Sequence, residues 1–231
     1  MGLKVAAFTA LVACLWLPQI QAGVNVGTTR VVYQSKEKEA NLSVANTDES
    51  SPYLVQSWVS AYDDREHSAD EFIITPPLFR LDAKSQNILR IIATDVEHLP
   101  KDKESLFFLN VKAIPATSAE QRNQNVLQIA LKTTIKLFYR PAGLQGSLKD
   151  AVANLQWRVE GGKLSVNNPS GFNVVVSELL VNGKPDTGLP EVLRPGSTAM
   201  SAHALKSGDT LVLSYINEYG STVKAEAVSA R

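Results

Sequence analysis

The stretch from Asn125 to Pro141, NVLQIALKTTIKLFYRP, constrains the fold of this chain more than any other. Leu127, Ile129 and Leu131 alternate with Gln128 and Ala130, the period of two that lines one face of a strand. The β-branched cluster Thr133-Thr134-Ile135 argues against the helix that Leu127, Leu131 and Leu137 would otherwise suggest. Strands ordinarily run about five or six residues, and this run is roughly three times that. Much of it is therefore expected to project beyond its sheet or to bend between two sheets; the alternative is two ordinary core strands read through a kink. A long, apolar, unpaired strand invites aggregation, so a secreted chain that keeps one is expected to lend it to another chain. Lys132, Lys136 and Arg140 interrupt the apolar pattern. Lys136 and Arg140 share one phase of the alternation and the apolar row shares the other, so both sets reach one partner only through twist or a bulge.

Residues 1–22 read as a secretory signal peptide. Lys4 supplies the basic start, Val5 to Leu17 the apolar run, and Ile20-Gln21-Ala22 the small-residue end. The apolar run is too short for a membrane span, so no integral membrane segment is expected after cleavage. The only cysteine, Cys14, lies in this leader and no lipobox-like residues follow it at the cleavage point. The mature chain, starting near Gly23, must then rest on hydrophobic cores without disulfides, and it is long enough for one large or two medium domains. The sequence holds 23 basic and 23 acidic residues. Losing Lys4 leaves the mature chain about one charge negative, a balance that supports neither nucleic-acid binding nor an anionic membrane surface.

From Val24 the pattern is all-β. Strands are expected at Thr29–Tyr33, Asn41–Ala45, Tyr53–Ala61, Ile73–Ile74 with Phe79–Leu81, Ile88–Ala93 and Leu106–Ala113, followed by the long strand. Asn46-Thr47-Asp48, Asp63-Asp64 and Lys101-Asp102 break them as turns. About seven short strands spaced by turns is the signature of an immunoglobulin-like sandwich. Thr75-Pro76-Pro77 removes ladder donors, so it is read as the switch between sheets, where a cis bond is permitted. Trp58, in mid-strand, is assigned to core packing. Ala116 to Gln124 is a polar loop feeding the long strand, and Ala142 to Lys149, with Gly143 and Gly146, marks a domain boundary. The division is thus 1–22 leader, 23–143 first domain and 144–231 second domain. In the second, Gln156–Val159 and Leu164–Val166 form a hairpin over Gly161-Gly162. Asn182-Gly183 closes another after Val174–Val181, and Thr198–Ala202, Leu211–Ile216 and Val223–Val228 add strands.

Catalytic chemistry is missing from the pattern, and no catalytic residue, metal site or cofactor is assigned. His67, His98 and His203 lack ligand spacing and are read as surface histidines. Asp63, Asp64, Glu66, Asp70 and Glu71 lack the register of a calcium loop and are read as a solvated hairpin loop. There is no nucleophile elbow, phosphate loop or zinc-protease motif. A binding protein is expected, not an enzyme.

The runs IALKTTIKLFYRP, KESLFFLNVKAIP (Lys103 to Pro115), ITPPLFRL (Ile74 to Leu81) and LSYINEYG (Leu213 to Gly220) together resemble the periplasmic pilus-assembly chaperones of the chaperone–usher pathway. The resemblance spans essentially the whole mature chain. It implies two immunoglobulin-like β-sandwich domains in a boomerang arrangement with an interdomain cleft. It also implies a periplasmic chaperone that completes fimbrial (pilus) subunits by donor-strand complementation and delivers them to an outer-membrane usher. The short polar loop and cysteine-free mature chain place it with the short-loop subclass. A secreted fimbrial subunit or adhesin is the alternative, but Gly23 to Thr29 offers no alternating apolar donor extension.

On the same resemblance, Leu127, Ile129 and Leu131 are the donated side chains, entering the client in a parallel orientation. Burying three such groups is worth roughly 5–9 kcal/mol gross, before ordering costs. Arg30, in GTTRVVY, and Lys136 match the two cations that hold the client's terminal carboxylate, with Thr29 at the same cleft. Arg140 matches a residue that bridges the domains through two acids, whose positions here hold Glu104 and Glu218. The family's second acid is commonly aspartate, so Glu218 departs from the pattern by one methylene. The sequence leaves open whether the free protein self-associates by capping its own strand.

Overall fold

The computed structural model describes residues 23–117 and 125–230, without the side chains of 202–204. The expected leader and residues 118–124 of the polar loop lie outside the described residues, as does the side chain of His203. The first domain contains β1 (Val24–Val26), β2 (Arg30–Gln34), β3 (Ala40–Asn46), β4 (Tyr53–Ala61), β5 (Phe72–Thr75), β6 (Leu78–Leu81), β7 (Gln86–Ala93), β8 (Ser105–Pro115) and β9 (Leu131–Arg140). They form two sheets, ordered β1-β3-β7-β5 and β2-β9-β8-β4-β6. Alternation decides what is buried. Leu42 and Val44 on β3, Val55 and Val59 on β4, Leu89 and Ile91 on β7, and Leu109 and Leu137 on β8 and β9 meet in one core between the sheets. The Thr75–Pro76 bond is cis, and the chain changes sheet there, from β5 to β6.

The second domain opens with a helix that strand periodicity does not reveal, α1 (Leu148–Ala153). It buries Leu148, Ala151 and Val152, and its N-cap Ser147 accepts the Asp150 N–H at 3.1 Å while donating to the Asp150 carboxylate at 2.6 Å. Strands β10 (Gln156–Glu160), β11 (Lys163–Asn167) and β15 (Thr198–Ala204) form one sheet. The other holds β12 (Val174–Val181), β13 (Lys184–Asp186), β14 (Val192–Leu193), β16 (Thr210–Ile216), β17 (Thr222–Lys224) and β18 (Val228–Ser229). Asn182 and Gly183 adopt φ of 50° and 78°, the left-handed pair that a two-residue hairpin requires. Leu164, Leu179, Leu193 and Leu211 centre the second core.

The long run projects beyond its sheet: it pairs only from Leu131 onward, and 125–130 take no strand pairing. It neither bends between sheets nor splits into two core strands. Two sequence expectations need correction. Trp58 is not a core residue. It lies on the opposite face of β4 from Val55 and Val59, half-buried, with the Lys132 ammonium 5.8 Å from its ring centre. Finally, Val223–Val228 is not one strand but β17 and β18, separated by Ala225 to Ala227, each pairing with a different part of β16.

Candidate functional site

β9 is held differently on its two edges. β8 pairs with it antiparallel along its length, from Leu131 to Tyr139. β2 pairs with it in parallel, from Arg30 opposite Lys136 to Gln34 opposite Arg140. Among the described residues, the β2-side edge of β9 upstream of Lys136 has no partner. Its N–H and C=O groups there can accept another strand.

Side-chain phase explains the exposed apolar row. Ile135, Leu137 and Tyr139 enter the first core. Leu127, Ile129 and Leu131 continue the same phase past the end of that core, where no second sheet covers them, and are 89%, 62% and 65% exposed. The other phase carries Lys132, Thr134, Lys136, Phe138 and Arg140 on the face turned toward the second domain. There Phe138 packs with Val32, Tyr62 and Leu106 against Val175, Val192 and Ile216 of the second domain. Apolar row and cations thus occupy opposite faces of β9, as the parity of the sequence demands.

Arg30 and Lys136 stand side by side at the mouth of this junction because β2 and β9 are in register there. Arg30 is buried, its guanidinium 5.7 Å from the Phe138 ring centre, and Nη1 donates to the Ile216 carbonyl at 3.2 Å. Its Nε is buried without a hydrogen-bond partner among the described residues. Burial pulls the guanidinium's pKa below its usual value, opposed by the charges of Glu218 and Glu191. A desolvated, incompletely partnered cation is the physical signature of a site for an anion. Lys136 is ion-paired with Glu191 of the second domain.

Arg140 lies on the other side of Phe138 along the strand. Its Nε donates to Glu104 Oε1 at 2.8 Å, and its Nη2 is 3.5 Å from Glu218 Oε1. Glu104 is almost wholly buried; its second oxygen accepts the Asn173 backbone N–H at 2.9 Å and its side-chain amide at 3.3 Å. Burial raises the Glu104 carboxyl's pKa despite the stabilising charge of Arg140 and these two donors. The guanidinium of Arg140 also sits 5.0 Å from the Phe172 ring centre. Arg30, Glu104, Arg140 and Glu218 line a single cavity of about 10 Å³, so the bridged acids and the buried cation are immediate neighbours.

Other interdomain contacts could not be read from strand patterns. Arg194 donates through Nη1 to Asp63 at 2.9 Å and lies 4.9 Å from the Tyr62 ring centre, so one member of the expected solvated acidic loop reaches the second domain. Gly171 accepts from the Glu104 N–H at 2.8 Å, and a β-carbon there would overlap the Asp102 carbonyl. Gly220, at φ 86°, turns its chain directly over the Thr29 hydroxyl. Of the second-domain residues in these contacts, only Gly220 lies within a motif that the sequence reading singles out. His67 and His98 are exposed and pair with Asp64 and Glu71. Among the described residues no group of three or more histidines, cysteines or acids is placed to hold a metal. None of their helices is long and apolar enough to cross a membrane.

Two sandwiches thus meet at a junction where the open edge of β9 lies beside Arg30 and Lys136, the architecture of a two-domain pilus-assembly chaperone. Residues 23–145 match the family model of the pili and flagellar-assembly chaperone PapD N-terminal domain, and 150–227 that of the pili assembly chaperone PapD C-terminal domain. The chain is 42% identical over 217 residues to the probable fimbrial chaperone LpfB of Escherichia coli O157:H7, covering 93% of this chain and 92% of that protein. It is 36% identical to the chaperone protein FocC of Escherichia coli over 93% of each chain. Among solved structures, the Escherichia coli chaperone DraB matches with a TM-score of 0.75 at 32% identity, over 91% of this chain and 96% of that one. The SafB chaperone of Salmonella enterica, solved in complex with the SafA pilin, is the subject of a structure that matches at 0.76 and 32% identity, over 90% and 95%. This chain belongs to the PapD-like pilus-assembly chaperone family.

Proposed function

We propose that this protein is a periplasmic chaperone that completes fimbrial subunits by strand donation and passes them to an outer-membrane usher. The observation that carries the reading is the place where β2 begins, at Arg30 opposite Lys136. A foreign strand laid along the open edge of β9 in line with β2, and parallel to β9, ends its chain at Arg30 and Lys136. Its terminal carboxylate then meets a buried guanidinium and an ammonium, a charge-assisted anchor that sets the register of all pairing upstream. With register set, Leu127, Ile129 and Leu131 project at alternate positions into the client, where burying them contributes roughly 5–9 kcal/mol gross.

In this reading the work is binding, not catalysis. Glu104, Arg140 and Glu218 fix the angle between the domains, with the division between Gly143 and Leu144, just after β9 and before α1. The family relationship and the expected leader support the periplasmic location, and the name of the SafB–SafA complex supports a pilin client. The experiment is co-expression with candidate fimbrial subunits. Arg30→Ala and Lys136→Ala should each abolish subunit co-purification. Arg30→Ala should shift Tm by less than about 4 °C, because a partly unpartnered buried cation contributes little to stability. Subunit recovery at the wild-type level from either variant would refute the anchor.

A further inference from the structure

Lys136 is not waiting empty-handed. Its ammonium is paired with Glu191, which comes from the opposite domain. That contact does not depend on a wandering surface side chain. The backbone at and after Glu191 is pinned, since its carbonyl accepts the Val176 N–H at 2.8 Å and the next two residues, Val192 and Leu193, pair with Val175 and Val174. Val192 is buried in the interdomain apolar cluster, and Arg194 grips Asp63. A short strap thus holds the Cα of Glu191 at the cleft while its side chain, 54% exposed, stays free to leave. The charge of Glu191 also acts on Arg30, so one carboxylate lies within the field of both cations.

We propose that Glu191 is a specificity-determining residue: a resident carboxylate that holds the place of the client's chain terminus on Lys136 and must be displaced before a client can bind. The inference rests on the assignment of Lys136 as the anchor. Its physical logic is competition at high effective concentration. A free anion, or an acidic peptide without strand character, competes with a carboxylate tethered beside the lysine and gains nothing else. A client gains backbone pairing along β9 and three apolar side chains as well, so it can expel Glu191. The strap thereby raises the threshold for every ligand and leaves only strand-forming, carboxyl-terminal ligands above it.

The probe is a short synthetic peptide of alternating valine and threonine with a free carboxyl terminus, compared with its C-terminal amide by calorimetry. Glu191→Gln should bind the free-acid peptide roughly three to ten times more tightly than wild type, the gain expected when a weak internal pair no longer occupies the competent state. Affinity for the amide should stay the same. Lys136→Ala should erase the difference between acid and amide. If it does so while Glu191→Gln binds the acid no more tightly than wild type, or binds it less tightly, the placeholder is overturned and the anchor stands. If Lys136→Ala keeps the acid–amide difference, the anchor itself fails and the placeholder with it. A readout without any ligand is the Lys136 ammonium resonance in nitrogen-detected NMR of the free protein. Glu191→Gln should move it, and an unmoved resonance overturns the inference.

Discussion

Glu104 and Arg30 are buried charges with opposite consequences. Glu104 is satisfied on both oxygens, by Arg140 and by Asn173, yet burial dominates and lifts its pKa above the 4.5 of a free glutamate. The folded protein therefore holds this proton more tightly than the unfolded chain does. Stability from this group is fully present below about pH 4.5 and is withdrawn as pH rises through the raised value. Glu104→Gln removes the titration. The Tm advantage of wild type over this variant should shrink between about pH 4 and pH 7 in thermal melts; an advantage that grows with pH would mean that the Arg140 pair outweighs burial. Among the described residues Arg30 Nε has no hydrogen-bond partner, a deficit that the proposed client carboxylate would supply from outside. Sequence alone could name Arg30 and Lys136 as matching cations, but not this asymmetry, because burial of a guanidinium depends on Phe138 and Ile216 meeting across a domain boundary.

β9 does two jobs with one alternation. Where a second sheet faces it, the odd-numbered residues from Ile135 build the core; where that sheet ends, the same phase surfaces as Leu127, Ile129 and Leu131. Leu127→Glu with Ile129→Glu should therefore change stability by no more than about 0.5 kcal/mol, since both positions are exposed, while abolishing piliation and periplasmic accumulation of the client. Piliation at the normal level, scored by electron microscopy, would remove the donor role. This element was legible from sequence because strand period, length and β-branching agree across it. Its pairing limit was not, because the open edge of the sheet is set by where β2 begins, far away in the chain. Trp58 was misread for a related reason: an aromatic in mid-strand does not say which face is covered, and its side of β4 turns to Lys132. The helix α1 left a trace, Ser147-x-x-Asp150, the cap that begins it, but its six residues are too few for a helical period to emerge.

At the scale of the whole molecule, the two domains meet through a small apolar cluster ringed by polar bridges, so their angle depends on close fit more than on area. Gly171 is a point of close fit, since one of its neighbours, the Asp102 carbonyl, is backbone that cannot rotate away. Gly171→Ala should cost about 1–3 kcal/mol and change the small-angle scattering curve, as the Asp102 segment is pushed from the second domain. An unaltered curve and Tm would show that the junction is softer than its packing implies. None of these bridges was readable from strand pattern, because each joins residues whose separation only the finished cleft defines. The central claim is that a client strand extends the first sheet along β9 with its end on two cations. The most direct measurement is the structure of this chain bound to a fimbrial subunit. The account predicts the subunit's last strand parallel to β9, its terminal carboxylate on Arg30 and Lys136, and Glu191 turned away. A subunit docked elsewhere, or one whose carboxyl end is free in solvent, would contradict it.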